Sequence, residues 1–277
     1  QFPGFEITGS LPAGGSGAKL YIARPDEKTR RRLPGQPEAV VIKSFALAEG
    51  SSLPQIVRES RSLESGKKLG LVLAYELNDT QFWYAMPYHP GEHLGAVVRE
   101  AHGVGAEDGL RGRALSEMLG YEIDLVSTLD RYHADGLWHK DVKPDNMLLD
   151  ADGTYKLGDF GVAYVKDKGW ELQDGDGGYV APEVLAMNPG DPGSIPTSAA
   201  DVFSLGASVH EAACGKRLDQ EWRRGVPVTI GELEQGPSGM SQGAEGAEPF
   251  VLPLPEGRSE ALARLVSDCC RRDPSAR

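Results

Sequence analysis

His139, Asp141, Lys143 and Asn146 stand within eight residues, and Asp159 follows thirteen residues after Asn146. Those residue types suit phosphoryl transfer to a hydroxyl. One carboxylate can orient the hydroxyl and take its proton, while a second carboxylate and a carboxamide oxygen are hard ligands for Mg²⁺. Four residues separate Asp141 from Asn146. Between Asn146 and Asp159 there is room for one hairpin: Met147 to Asp150, a turn at Ala151-Asp152-Gly153, then Thr154 to Leu157. That hairpin would carry the two metal-binding oxygens on one rigid element.

The elements needed to position these groups can be read around them. Leu115 to Asp135, ended by Gly136, predicts a long amphipathic helix running into His139. Thr197 to Cys214, ended by Gly215, predicts another, with Ser198 as its cap; Glu256 to Arg272 predicts the last. The N-terminal third reads as strands at Phe5–Thr8, Lys19–Ala23, Ala39–Phe45, Leu69–Glu76 and Gln81–Tyr88, with one helix over Pro54–Lys68. Ile56, Val57, Ser60, Leu63 and Ser65 mark that helix's mixed face. Arg30 to Gly35 reads as a solvated basic turn, and Thr229 to Phe250, rich in Gly, Glu and Ser, as a surface loop. Lys43 ends an almost wholly apolar strand, so it needs an acidic partner; Glu59 and Glu64 compete for it from the helix.

Composition narrows the classes. The 277 residues carry 40% hydrophobic content, enough for a sizeable core, and a formal net charge of -12. Such acidity argues against nucleic-acid or anionic-membrane partners. Three cysteines, two of them adjacent (Cys269 and Cys270), form neither a disulfide framework nor a metal motif. A reducing, cytoplasmic setting is expected. No apolar run approaches the roughly eighteen residues of a membrane span. His89 and His93 lie four apart, but Pro90-Gly91 between them breaks any helix that would pair them on a metal.

His139-Lys140-Asp141-Val142-Lys143-Pro144-Asp145-Asn146, Asp159-Phe160-Gly161 and Ala181-Pro182-Glu183, in that order, resemble the motifs of the eukaryotic-type (Hanks-type) Ser/Thr protein kinases over nearly the whole chain. The resemblance implies an α+β, two-lobed fold: a small β-rich N-lobe at 1–88 and a larger, mainly helical C-lobe at 89–277, with more chain expected beyond Arg277. It implies ATP and Mg²⁺, with Mn²⁺ as an alternative ion, and protein substrates. Asp141 becomes the base, Lys143 the γ-phosphate contact, Asn146 and Asp159 the metal ligands. Val40-Val41-Ile42-Lys43 resembles the strand whose lysine grips the α- and β-phosphates, and Glu59 matches its partner. Leu11 to Gly17 lies where the family has its phosphate loop, assigning Gly14, Gly15 and Gly17 to ATP. Pro12 stands in place of the first glycine there, Ser16 in place of the aromatic tip. Val41, Met86 as gatekeeper, Pro87, His89 and Leu148 would surround adenine. Pro87 lacks an amide hydrogen, but its position offers only a carbonyl. Glu183 and Arg277 match a buried pair, Asp201 matches an aspartate that fixes the catalytic-loop backbone, and His139, Phe160 and Leu63 match a stacked column.

Small-molecule kinases of related fold usually lack Lys143 and the Ala-Pro-Glu segment, which favours protein acceptors. Two alternatives stay open. The irregular Gly-rich loop, Val41 and Asp176 would fit a pseudokinase or scaffold. Asp176, where most Ser/Thr kinases have Thr, together with Asp201-Val202-Phe203-Ser204-Leu205-Gly206, resembles the Wee family and would fit a dual-specificity or Tyr-directed enzyme; bacterial kinases share the same wording. The segment Val162–Val180 contains neither Ser nor Thr, and Lys140 replaces the arginine that commonly reads a phosphate there. The acids Asp167, Glu171, Asp174 and Asp176 are expected to supply the fixed negative charge instead, with control exerted by domains outside this chain.

Overall fold

The computed structural model describes residues 2–12, 17–46, 53–78, 81–103, 110–168, 178–185, 187, 197–218, 260–271 and 273–277. Gly14, Gly15, Ser16, Glu171, Asp174, Asp176 and the expected loop at 229–250 lie outside them. The chain divides into two compact units, Gln1–Pro90 and Gly91–Arg277.

The first unit is built on an antiparallel sheet in the order β1-β2-β3-β5-β4. Its strands are β1 Phe5–Leu11, β2 Lys19–Pro25, β3 Val40–Ala46, β4 Ala74–Leu77 and β5 Gln81–Pro87. β3 is flanked by β2 and β5, which explains its apolar run. Alternation then sorts its side chains. Val40 and Ile42 enter a cluster with Ala23, Leu33, Leu73, Trp83 and Ala85, while Val41, Lys43 and Phe45 occupy the other face. Helix α1, Glu27–Arg30, precedes the expected basic turn and shares only Arg30 with it; residues 31–35 are turn and bend. Asp26 caps it by accepting from the Thr29 amide at 2.7 Å. Arg30 pairs with Glu38 and Arg31 with Glu27, so this basic run is largely neutralised locally.

Helix α2 spans Leu53–Lys68 and buries Ile56, Glu59, Ser62, Leu63 and Gly66. This differs from the expected face: Val57 is exposed, and the polar Glu59 takes a core position. The expected strand from Leu69 is shorter too. The Leu69 amide bonds Ser65 and the Leu71 amide bonds Gly66, so residues 69–71 finish the helix before β4 begins at Ala74.

The second unit is mainly helical. α3 is Leu94–His102, α4 Gly112–Ala134, α5 Pro182–Leu185, α6 Ser198–Cys214 and α7 Glu260–Cys269. α3 carries apolar residues at Leu94, Val97 and Val98, the spacing of a helix face, although no helix is expected there above. α6 is buried over most of its circumference, as a helix at the centre of a unit must be. Its cap position is Thr197 rather than Ser198, without a side-chain capping bond. α7 ends at Cys269, short of the expected Arg272. Tyr179, Ala181 and Val184 pack with Phe203, Ala207, Leu262 and Val266 in the unit's core. Short strands carry the loops: β6 Leu137–Trp138 pairs with β9 Tyr164–Val165, and β7 Met147–Leu149 with β8 Tyr155–Leu157. The last pair is the hairpin expected between Asn146 and Asp159. α4 stops at Ala134, and Gly136, at φ 75, makes the left-handed turn into β6.

Candidate active site

The candidate residues are distributed over both units, and each group is built separately. In the first unit, register brings them together. Lys43 lies opposite Tyr84, and Val41 opposite Met86, so all four side chains share one face of the sheet. Lys43 is 5% exposed and its Nζ sits 2.9 Å from Glu59 Oε1. Glu59 also accepts from Gln55 Nε2 at 2.6 Å and from the Tyr84 hydroxyl at 2.5 Å. The carboxylate is thus satisfied on both oxygens, which makes burying the pair tolerable. Glu64, the competitor for Lys43, bonds the Tyr75 hydroxyl instead. Gln55 and Tyr84 were missed in the sequence. Gln55 is detectable as the i−4 neighbour of Glu59; Tyr84 depends on a cross-strand register that nothing local specifies.

Removing Glu59 would leave Lys43 and Tyr84 buried without their carboxylate, at a cost to stability. Val41 is buried, whereas Met86, Pro87 and His89 are half-buried at and beyond the end of β5. Gly17 has φ +71, and a Cβ there would meet nothing within 4 Å, so its freedom is conformational rather than steric.

In the second unit the loop that starts at His139 hangs on Asp201 of α6, which is fully buried. Its Oδ2 accepts the His139 amide and its Oδ1 the Lys140 amide, both at 2.8 Å. His133 Nε2 lies 2.8 Å from Oδ2. These bonds hold Lys140 at φ 66, a left-handed conformation that a non-glycine residue adopts when its surroundings require it. His139 Nε2 lies 2.8 Å from the Gly158 carbonyl, and its Nδ1 faces the Asp141 amide at 3.3 Å. The ring therefore carries its proton on Nε2.

Asp141 Oδ2 receives Lys143 Nζ at 2.9 Å and Asn146 Nδ2 at 2.8 Å. Asn146 Nδ2 also donates to the Asp141 carbonyl at 2.8 Å. With the amide nitrogen engaged twice, the Asn146 side-chain oxygen is the atom left for a cation. The 3₁₀ turn Pro144–Asn146 leads into β7, and the Gly158 amide donates to the Asn146 carbonyl at 2.8 Å. Asn146 and Asp159 therefore stand at one end of the same hairpin. Asp159 itself is left-handed, at φ 50. An amide oxygen and a carboxylate so placed fit a hard divalent cation completed by phosphate oxygens. Leu148, on β7, bridges to His93. His93 caps α3, so the His89–His93 spacing has no metal-pair geometry on a helix.

Other predicted partners are also in place. Arg277 donates from Nη2 to Glu183 at 2.8 Å, and from Nη1 to the same carboxylate and to the Ala199 carbonyl. This fork anchors the Ala181-Pro182-Glu183 segment to the C-terminal turn. Tyr179 is 3% exposed; its hydroxyl donates to Glu211, and its carbonyl accepts from Ser204. Tyr164 is also buried, packed on Trp138 with ring centroids 5.0 Å apart.

Comparison with known proteins agrees with this arrangement. The family model described as "Protein kinase domain" matches residues 32–277. A probable protein kinase of Dictyostelium discoideum is 32% identical over 222 residues, covering 76% of this chain and 56% of that protein. CBL-interacting serine/threonine-protein kinase 12 of Arabidopsis thaliana is 31% identical over 211 residues, 72% of this chain and 38% of the relative. A Wee1-like protein kinase of Oryza sativa subsp. japonica is 41% identical over 162 residues, 57% of this chain and 30% of the relative. The chain thus spans about half or less of the length of these relatives. With a β-rich unit carrying a buried Lys–Glu pair and a helical unit carrying the Asp141 loop, the chain belongs to the protein kinase family.

Proposed function

We propose that the chain is a Ser/Thr protein kinase that transfers the γ-phosphoryl group of ATP to a hydroxyl of a protein substrate, with Mg²⁺. The observation that carries this reading is the loop in which Asp141 meets both Lys143 and Asn146 while its backbone is bonded to Asp201. Asp141 orients the acceptor hydroxyl and takes its proton as the new O–P bond forms and the bond to ADP breaks. Lys143 offsets the charge of the transferring group. Lys43, held by Glu59, steadies the α- and β-phosphates. Gly14, Gly15 and Gly17 are assigned to the phosphates, and Val41, Met86, Pro87, His89 and Leu148 to adenine. Mg²⁺, or Mn²⁺ in its place, would be held by Asn146 and Asp159 and would neutralise phosphate charge. Residues 1–88 and 89–277 are taken as the two lobes, a division that the compact units, Gln1–Pro90 and Gly91–Arg277, support near that point. Among the described residues no helix is long and apolar enough to cross a membrane. We place the enzyme in the cytoplasm, with regulatory partners outside this chain.

Lys143 and the serine/threonine-protein kinase named among the relatives support the Ser/Thr assignment. The likeness to a Wee1-like kinase favours one second reading, transfer to Tyr or to both classes. The test is incubation with labelled ATP, Mg²⁺ and a generic protein acceptor, followed by phosphoamino-acid analysis, with Asp159→Asn as control. Label on Ser and Thr that vanishes in the control supports the first reading. Label on Tyr supports the second, and no label in the wild type supports a scaffold.

A further inference from the structure

The catalytic loop is held by Asp201 from below, but it has a second attachment through Asp145. Asp145 Oδ1 lies 3.0 Å from Arg99 Nη1 and 3.1 Å from His93 Nδ1, so both contacts come from α3 and its cap. His93 Nδ1 also faces the Ala96 amide at 3.3 Å. One nitrogen cannot accept there and donate to Asp145 at once, so Arg99 is the constant partner. Between them sits Gly95. A Cβ at that position would overlap Asp145 Oδ1 and lie 3.0 Å from its Cγ and 3.2 Å from Arg99 Nη1. The carboxylate therefore occupies the space that any other residue would fill.

The same stretch grips the far side of the loop. The Gly91 amide donates to the Leu149 carbonyl at 3.1 Å, and His93 bridges Leu148. Residues 91–99 thus hold the chain on both sides of Asn146. A further link runs to α6. The Glu211 carboxyl is pushed up by burial and by Asp145, and drawn down by the Tyr179 hydroxyl, Arg217 and Arg99. Arg99 thus stands in the field of two acids, one on the loop and one bonded to Tyr179.

Resting on the kinase reading above, we propose that Gly95, Arg99 and His93 form a socket for Asp145 that sets the pose of Lys143 and Asn146. Asp145 and Arg99 are positioning residues; they act through their neighbours. Arg99 is 60% and Asp145 39% exposed in their side chains, so the pair adds little to stability. Its effect is on which loop pose is populated, and an exposed ion pair shifts such an equilibrium by about fivefold.

Gly95→Ala is the sharpest test, because it expels the Asp145 side chain while leaving every charge in place. A short carboxylate can rotate away, so the fold is retained. We expect kcat to fall about fivefold in Gly95→Ala, Asp145→Ala and Arg99→Ala. KM for ATP should stay within about twofold, and Arg99→Lys should recover most of the loss. Unchanged kcat in Gly95→Ala and Asp145→Ala would overturn the socket. So would an effect confined to KM for a Lys- or Arg-bearing acceptor, which would put Asp145 against the substrate instead. Amide hydrogen exchange over residues 141–147 gives a readout independent of turnover. Exchange about fivefold faster in Gly95→Ala supports the socket even if the wild type transfers no phosphate, a result that would sink only the kinase reading. Exchange equal to wild type overturns the socket in either case.

Discussion

Glu122 is a carboxylate placed where water does not reach. It lies on the inward face of α4 with Met118, Leu125 and Leu129, is 3% exposed, and among the described residues neither oxygen has a hydrogen-bond partner. Burial, and to a lesser extent the charge of Glu211, raises its pKa from 4.5 to about 8. The folded state holds this proton more tightly than the unfolded chain, so stability is intact below about pH 4.5. It falls as pH rises, until Glu122 ionises near pH 8. A shift of that size corresponds to about 5 kcal/mol, and water entering the site would reduce it, so several kcal/mol is the working figure. Glu122→Met fills similar volume and does not titrate. At pH 5 its melting temperature should lie close to that of the wild type. At pH 8.5 it should be higher by roughly 5–15 °C. The comparison between the two proteins cancels the titrating groups that do not interact with Glu122; Glu211, which does, is not cancelled. Differential scanning calorimetry across pH 5–9 is the assay, and a gap that stays constant with pH would refute the reasoning.

Three further outcomes are expected. Glu59→Gln keeps the shape of the Lys43 partner and removes its charge; it should lower kcat at least about tenfold and destabilise by about 3 kcal/mol in denaturant titration. Asp201→Asn can accept with only one oxygen, leaving the His139 or the Lys140 amide unsatisfied; it should cost about 1–3 kcal/mol and lower kcat about tenfold or more. Phosphatase-treated protein should keep its activity within about twofold, a shift under 0.5 kcal/mol. Val162–Val180 has no Ser or Thr, and Tyr164 and Tyr179 are buried. Activity lost with phosphatase and restored by phosphate on Tyr164 would contradict this.

What was legible in the sequence was local. The Asp141–Asn146 spacing, the hairpin after it and the Gly136 stop of α4 all depend on neighbours within a few turns or residues, whereas Glu59 is preferred to Glu64 only through the family resemblance. What was hidden depends on distant pairing. Tyr84 reaches Glu59 because β5 lies in a particular register beside β3. The buried face of α2 does not follow apolar character, because one buried position holds an acid whose charge is met by a strand lysine. α3 is short and follows Pro90-Gly91, and the space that Gly95 leaves for Asp145 is set by a contact fifty residues away. Glu122 could not be recognised as buried, since an acid on a long amphipathic helix ordinarily faces water.

The central claim is that Asp141 is the base of a phosphotransfer reaction. The most direct measurement is single-turnover transfer from labelled ATP to a protein acceptor by wild type and Asp141→Asn, alongside nucleotide affinity by calorimetry. The account predicts a fall in transfer of about 10²-fold or more with nucleotide affinity nearly unchanged. Transfer by Asp141→Asn at the wild-type rate would contradict it.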